Sequence, residues 1–461
     1  MNILILSPYP PYPPHGGGTM RIYQLIRGLA AQHEVTCLTF APDAAAEREL
    51  APLRAVCRVL VVQGPPARST LRRAWTALVS PLPDMALRNA SLAYAAALHT
   101  LLAAESFDVI QAESIEMAGY LLDVEKLFET GSVRGNAPHV SLPPAVARRL
   151  RRRATAGKKI SWRGLAPPNL PSLKGIGAKS KLVLDQFNAE YVLQKRAFLA
   201  DVRRPRRWHA AGYSLLQWLK LARYERRVMA GCDAVLAVSE EDRRTLHALD
   251  AAGSITVVSN GVDTGWFSRA ALARDGAGPL SLREHTLVFS GTLDFRPNVD
   301  AVVWFAREVL PRIRARCPDV RLVVVGKRPA PALCALASDG ATTIVGQVPD
   351  ARPYIAGAAV YIVPMRIGGG VRLKLLEALS LEAPVVSTSM GAEGVAGLRS
   401  EEHCLLADDA EQFAAAVLRL LADRPLGARL GAAGRALVQA HYDWSVIVPR
   451  LAATYEALVP A

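Results

Sequence analysis

Pro364–Val386, reading PMRIGGGVRLKLLEALSLEAPVV, decides how this chain is read. The apolar run Ala358–Val363 ends at Pro364, then come Gly368, Gly369 and Gly370, and helical apolar periodicity runs from Val371 to Ser380. The order is strand, tight loop, helix start. Glycines permit positive φ and close backbone approach, and the free N–H groups of a first helical turn attract anions. Gly370, Lys374 and Glu377 fall at i, i+4 and i+7, so a cation and a carboxylate share the face that rises from the loop. A ligand carrying phosphate and sugar would use all three groups. A plain turn with a solvated Lys/Glu pair fits the local pattern equally well.

Working outward, the same alternation covers most of the chain. Asn2–Leu6 is an apolar run followed by the loop SPYPPYPPHGGG and a helical pattern over Met20–Ala31. That loop holds Gly16, Gly17 and Gly18, a second candidate phosphate site, without the GxGxxG spacing of a dinucleotide fingerprint. Further short apolar runs at Glu34–Phe40, Val56–Val62, Val109–Gln111, Leu182–Leu184, Ala234–Val238 and Ile255–Val258 predict one parallel-sheet domain. The pattern restarts with Thr286–Phe289, Arg321–Val325, Thr343–Val345, Ala359–Val363 and Pro384–Ser387, interrupted by helices such as Val299–Arg316. The stretch between the two series, 268–284, lacks an apolar run and reads as a linker. The expectation is α/β, two doubly wound domains with a cleft between them.

Composition narrows the function. A hydrophobic share of 51% over 461 residues fills two or three cores and excludes disorder throughout. No window supplies the roughly 18 apolar residues of a membrane span, and MNILILSPYP has no basic residues before its apolar run, so a cytoplasmic protein is expected. Six scattered cysteines without CxxC or Cys/His clustering argue against a disulfide framework and against a zinc site. The net charge of +14 is concentrated: residues 130–184 contain 12 Lys and Arg and, after Glu129, no acid. Residues 68–79 and the start of 144–181 are basic helical patterns with one apolar side, suited either to an anionic membrane surface or to a solvated insertion. Nucleic acid is disfavoured, because aromatic residues do not interleave the cations.

Several ordered stretches resemble glycosyltransferase family 4 on the GT-B fold, and within it the exopolysaccharide sugar transferases. They are VLDQFNAEY (Val183–Tyr191), YERR (Tyr224–Arg227), AVSEEDR (Ala237–Arg243), SNGVD (Ser259–Asp263), SGTLDFRPNVDA (Ser290–Ala301), GQVPDARPYIAGAAVYIVP (Gly346–Pro364) and the opening stretch through to Val395. The resemblance implies two Rossmann-like domains facing a central cleft. An acceptor-side domain would span 1–267 with a basic insertion at about 130–181. A linker at 268–284 would lead to a nucleotide-sugar-binding domain at 285–440, and a helix at 441–461 would cross back to pack on the first domain, with Trp444 and Tyr455 as core residues.

On matching positions the resemblance gives Glu377 the donor ribose, and Gly369, Gly370, Arg372 and Lys374 the diphosphate and sugar. Gly346, Gln347 and Val348 would lie by the base, and Gly16, Gly17 and Gly18 by the diphosphate. The family's basic pair after the first strand of the second domain is Thr292 and Asn298 here, leaving Arg296 as a substitute. The family's frequent acceptor-side His is Phe187, which leaves Glu190, Glu113 or the donor phosphate as proton acceptor, with Asn188 beside them. A Glu common in the family is Gly369 here. The implied reaction is retaining transfer from a nucleotide-diphospho-sugar to a saccharide or lipid-linked acceptor, with no cofactor and no metal, on the inner membrane surface. An epimerase on the same scaffold and a non-catalytic binding scaffold are the alternatives.

Overall fold

The computed structural model describes all residues except 15, 66, 123–139, 142–179, 203–204, 250–252, 277, 279, 281, 283 and 460–461, and gives only the backbone of 140–141 and 338–339. Of the basic stretch 144–181, only 180–181 are described. The chain divides into two compact units. Unit 1 comprises Met1–Val238, Asp242–Val258 and Val448–Ala461, and unit 2 comprises Ser239–Glu241 and Ser259–Ile447.

Unit 1 is built on eight strands: β1 (Asn2–Ser7), β2 (Glu34–Ala41), β3 (Arg58–Gln63), β4 (Val109–Glu113), β5 (Val140–Ser141), β6 (Lys181–Gln186), β7 (Ala234–Ala237) and β8 (Ile255–Val257). Their order is β5-β3-β2-β1-β4-β6-β7-β8, parallel except for β5, which pairs antiparallel with β3. Unit 2 holds β9 (Thr286–Ser290), β10 (Arg321–Val325), β11 (Thr342–Gly346), β12 (Val360–Val363), β13 (Val385–Ser387) and β14 (Leu405–Leu406), all parallel in the order β11-β10-β9-β12-β13-β14. Both orders reverse direction beside their first strand, as doubly wound sheets do, and ligands in such sheets sit outside the carboxyl ends of the strands at that reversal. β4, β9 and β12 are buried along their whole lengths, which is why they read as continuous apolar runs.

Three expectations change. Residues 268–284 are part of unit 2: Arg269–Arg274 is a helix that buries Ala271 and Leu272, and Arg352 holds this segment through Trp266 O (2.9 Å) and Asp275 Oδ2 (2.9 Å). Short length and few apolar residues hid it. The expected helix over Val299–Arg316 runs Arg296–Trp304, widens through one π turn at Phe305–Val309, and resumes at Leu310–Arg314. Pro311 cannot donate to the carbonyl four residues back, and the wider turn accommodates its ring. The helix after the Gly triplet starts at Leu373, because Arg372 is extended and Gly370 has φ +70°. Gly370 therefore precedes the helix, and only Lys374 and Glu377 share its face.

The final helix, Trp444–Leu458, serves both units. Trp444 is buried in unit 2, where Gly261 packs against Trp444 and Ile447, and Thr264 N–H and Oγ1 both donate to Asp443 Oδ2 (3.0 and 2.6 Å). From Val448 the helix belongs to unit 1. Gly28 leaves room for the Val448 side chain, and the buried Tyr455 hydroxyl donates to Gln111 Oε1.

Candidate functional site

In unit 2 the reversal lies between β9 and β12, and the groups singled out in the sequence gather at the carboxyl ends of these strands. Ser290 Oγ and Tyr361 Oη, one from each strand, share a hydrogen bond of 2.6 Å. Gly291 follows β9 with φ +155°, and a Cβ there would lie 2.7 Å from Lys374 Nζ and 2.9 Å from Asn298 Nδ2, so only glycine lets the lysine into this position. Gly291 N–H donates to Val325 O (3.0 Å) and Gly326 N–H to Gly346 O (2.8 Å), which ties the loops after β9, β10 and β11 side by side.

Lys374 extends from the helix Leu373–Ser380 into this rim. Its Nζ donates to Asn298 Oδ1 (2.8 Å) and lies 3.9 Å from the centre of the Phe289 ring, while Asn298 Nδ2 donates to Thr292 O (2.8 Å). Burial, reinforced by the nearby Arg372 charge, pulls the lysine down to about 7, partly opposed by Glu377. Burial also pushes Glu377 up to about 7, partly opposed by Lys374. Each group is thus poised where a ligand of opposite need would fix its charge. Asn298, which the family pattern marks as a missing cation, is the residue that aims one. No local pattern announces that role, because Asn298 and Lys374 are 76 positions apart.

The other donor-side candidates divide. Gly369 and Gly370 form the loop, and Arg372 turns back so that its Nη1 donates to Gly369 O and its guanidinium covers Gly368. Gly346 ends β11 with φ +81°, with Gln347 exposed and Val348 half-buried beyond it. Arg296 is exposed at the first position of its helix, and Lys374 rather than Arg296 stands beside Asn298.

In unit 1, Gly16 precedes the helix Gly17–Leu29, and its N–H donates to Thr19 Oγ1 (2.9 Å). Gly18 is roofed by aromatic rings: a Cβ there would fall 1.9 Å from Tyr9 Oη and 3.2 Å from Phe187. The same helix carries Arg21, only 1% exposed, whose Nε and Nη2 donate to Asp185 Oδ2 (2.7 Å) and Oδ1 (2.8 Å) on β6. Glu113 faces Asp185 in the β4/β6 register and receives Gln111 Nε2 (2.7 Å). Burial and the Asp185 charge hold its carboxyl well above the usual range. Glu113 is wholly enclosed and belongs to this network, so it does not join Glu190 as an accessible carboxylate. Glu190, half-buried at the start of Glu190–Val202, receives Asn188 Nδ2 (3.3 Å), and burial pushes it up to about 7. Buried Glu225, on the helix Trp208–Met229, accepts the N–H of Tyr191 (3.3 Å), the residue after Glu190. Arg21, Asp185 and Glu225 escaped sequence reading, since a buried ion pair spanning 164 positions leaves no periodic trace.

The family description "Glycosyltransferase Family 4" matches residues 196–266, and "Glycosyl transferases group 1" matches 284–423. Across nearly its whole length the chain is similar in fold to sucrose-phosphate synthase from Thermosynechococcus elongatus, with a TM-score of 0.65, 19% identity and 99% of each chain covered. The doubly wound sheets of the two units are those of the GT-B fold. Within that fold, residues 196–266 and 284–423 are similar to glycosyltransferases of the family 4 type.

A phosphatidyl-myo-inositol mannosyltransferase of Mycolicibacterium smegmatis is 34% identical over 235 residues, which cover 48% of this chain and 57% of that protein. A GDP-mannose-dependent alpha-(1-6)-phosphatidylinositol monomannoside mannosyltransferase of Mycobacterium tuberculosis is 30% identical over 267 residues, 53% of this chain and 66% of that one. The matched stretches thus span between about half and two thirds of these relatives' lengths, 57% and 66%.

Proposed function

We propose that the protein transfers a sugar, with retention of configuration, from a nucleotide-diphospho-sugar to a saccharide or lipid-linked acceptor in cell-surface or exopolysaccharide synthesis. The observation that carries this reading is Lys374, held by Asn298 at the carboxyl ends of β9 and β12 with Glu377 one helical turn away. An ammonium placed there neutralises a diphosphate leaving group, and a carboxylate accepts two ribose hydroxyls. The loop at Gly368–Gly370 leads into the first turn of the helix, which adds backbone N–H groups to the same task. This charge neutralisation is assigned to protein groups, without a metal ion. Unit 1 is assigned the acceptor, with Glu190 near 7 suited to accept its proton. The relatives' names make GDP-mannose the first donor to try and a phosphatidylinositol-type lipid the first acceptor.

Attachment to the inner membrane surface is assigned to the helix Thr70–Val79. Leu71, Trp75 and Leu78 fall at i, i+4 and i+7 on one face and are 83, 66 and 74% exposed, flanked by Arg72 and Arg73. Lys220 Nζ holds the carboxyl end of this helix through Ala77 O and Ser80 O. Among the described residues no helix is long and apolar enough to cross a membrane.

A thermal-shift screen of nucleotide sugars followed by product analysis tests the reading. A stabilising donor and a glycosylated acceptor are expected. A new nucleotide sugar formed without acceptor would instead make the protein an epimerase, and the absence of any nucleoside diphosphate binding would make it a scaffold.

A further inference from the structure

The amino ends of β9 and β10, at the opposite ends of these strands from Gly291, bring His285 to Cys317 and Asp319, more than 30 positions further along the chain. His285 immediately precedes β9. Cys317 follows the helix Leu310–Arg314, and Asp319 leads into β10. His285 Nδ1 lies 2.8 Å from Asp319 Oδ2 and 3.3 Å from Cys317 Sγ, and Cys317 Sγ lies 3.3 Å from Asp319 Oδ1. The sequence shows no Cys/His clustering, yet Cys317 has a histidine neighbour in space. The sheet register, not local spacing, makes the cluster.

The backbone holds these positions. Arg321 N–H donates to His285 O (3.1 Å), Cys317 N–H to Ile313 O (2.8 Å) and Val320 N–H to Cys317 O (3.2 Å). Asp319, with 68% of its side chain exposed, can rotate, whereas His285 is 29% exposed and anchored beside the strand. Bond lengths of about 2.3 Å to sulfur and about 2.0–2.1 Å to nitrogen or oxygen, at a tetrahedral angle, imply ligand separations of about 3.3–3.6 Å. The two sulfur separations are already close to that range, and the imidazole–carboxylate pair reaches it by a movement of about 0.5 Å.

We propose that His285, Cys317 and Asp319 form a three-ligand site for a divalent transition metal of the zinc type, with water in the fourth position. A thiolate, an imidazole and a carboxylate form a borderline donor set of the kind Zn²⁺ takes and Mg²⁺ or Ca²⁺ does not. Binding places the imidazole proton on Nε2, forms the metal–sulfur bond as the Cys317 thiol proton leaves to solvent, and replaces the hydrogen bonds within the triangle. The bound ion clips the entry of β9 to that of β10. It stands apart from the sugar chemistry proposed above, because the donor rim lies at the other ends of these strands.

The test uses the full chain, freed of metal by a chelator and titrated with Co²⁺ as a spectroscopic substitute for Zn²⁺. The expected result is a sulfur-to-metal charge-transfer absorption and strong visible bands that saturate at one equivalent and are displaced by Zn²⁺. Cys317→Ser should abolish the charge-transfer absorption, and His285→Gln should weaken binding at least tenfold. Zn²⁺ should raise the Tm of the parent protein but not that of Cys317→Ser. An absent absorption, one that persists undiminished in Cys317→Ser, or an equal Zn²⁺ shift in both proteins overturns the proposal.

Discussion

The two units share a sheet whose order reverses beside its first strand and a glycine-rich loop leading to a helix, yet they treat charge in opposite ways. In unit 1 the charges beneath the loop are spent on each other: Arg21 and Asp185 form a two-pronged pair with almost no exposure, and Tyr9 and Phe187 cover Gly18. In unit 2 the lysine is bound to a neutral amide, and both it and Glu377 sit near 7. A buried pair that is fully satisfied organises a fold, whereas a cation held by a neutral partner keeps its charge available to a ligand.

The contrast can be broken in four ways. Asp185→Asn should cost about 3–5 kcal/mol in denaturant unfolding, because it leaves a buried guanidinium without its counter-charge, and a loss below about 1 kcal/mol would remove the pair's structural role. Glu377→Ala should leave the fold intact and lower kcat/KM for transfer about 100-fold or more, the scale of two charge-assisted hydrogen bonds; full turnover would end the donor-site assignment.

Lys374→Ala should weaken nucleoside diphosphate binding about 10- to 100-fold in calorimetry while sparing the free nucleoside, and equal losses would show that the lysine does not meet phosphate. The sign of its pH dependence follows from its lowered value. The free protein loses the Lys374 proton as pH rises through about 7, and the bound diphosphate favours the protonated form. Affinity should therefore fall between pH 7 and 9, by up to about tenfold per unit, and Lys374→Arg should flatten the slope. The smallest effect is expected from replacing Leu71, Trp75 and Leu78 together by Ser. Sedimentation with anionic liposomes should fall a few-fold while transfer to a soluble acceptor is unchanged, and undiminished sedimentation would remove the membrane role of this helix.

Much of this was visible in the residues. The runs in β1, β2, β9, β10 and β12 were legible because buried parallel strands are apolar on both faces, and Lys374 with Glu377 was legible because helical spacing is local. What stayed hidden depends on distant parts of the chain meeting. Asn298 reads as a lost cation until Lys374 is seen against it, and Glu113 reads as a free carboxylate until Asp185 is seen beside it. The helix at Arg269–Arg274 hid for another reason, since six residues carry too little periodicity to separate from a linker. The basic stretch 144–181 lies mostly outside the described residues.

Tyr455 meets Gln111 across 344 positions of chain, and every residue of unit 2 from Ser259 to Ile447 is synthesised in between. At about 5–20 residues per second, the unit that begins first waits on the order of tens of seconds for its closing segment, while the intervening unit has all its own strands in hand before then. The order of birth and the order of completion are thus reversed. During that interval nascent unit 1 leaves open the surface that Val448 and Tyr455 will cover.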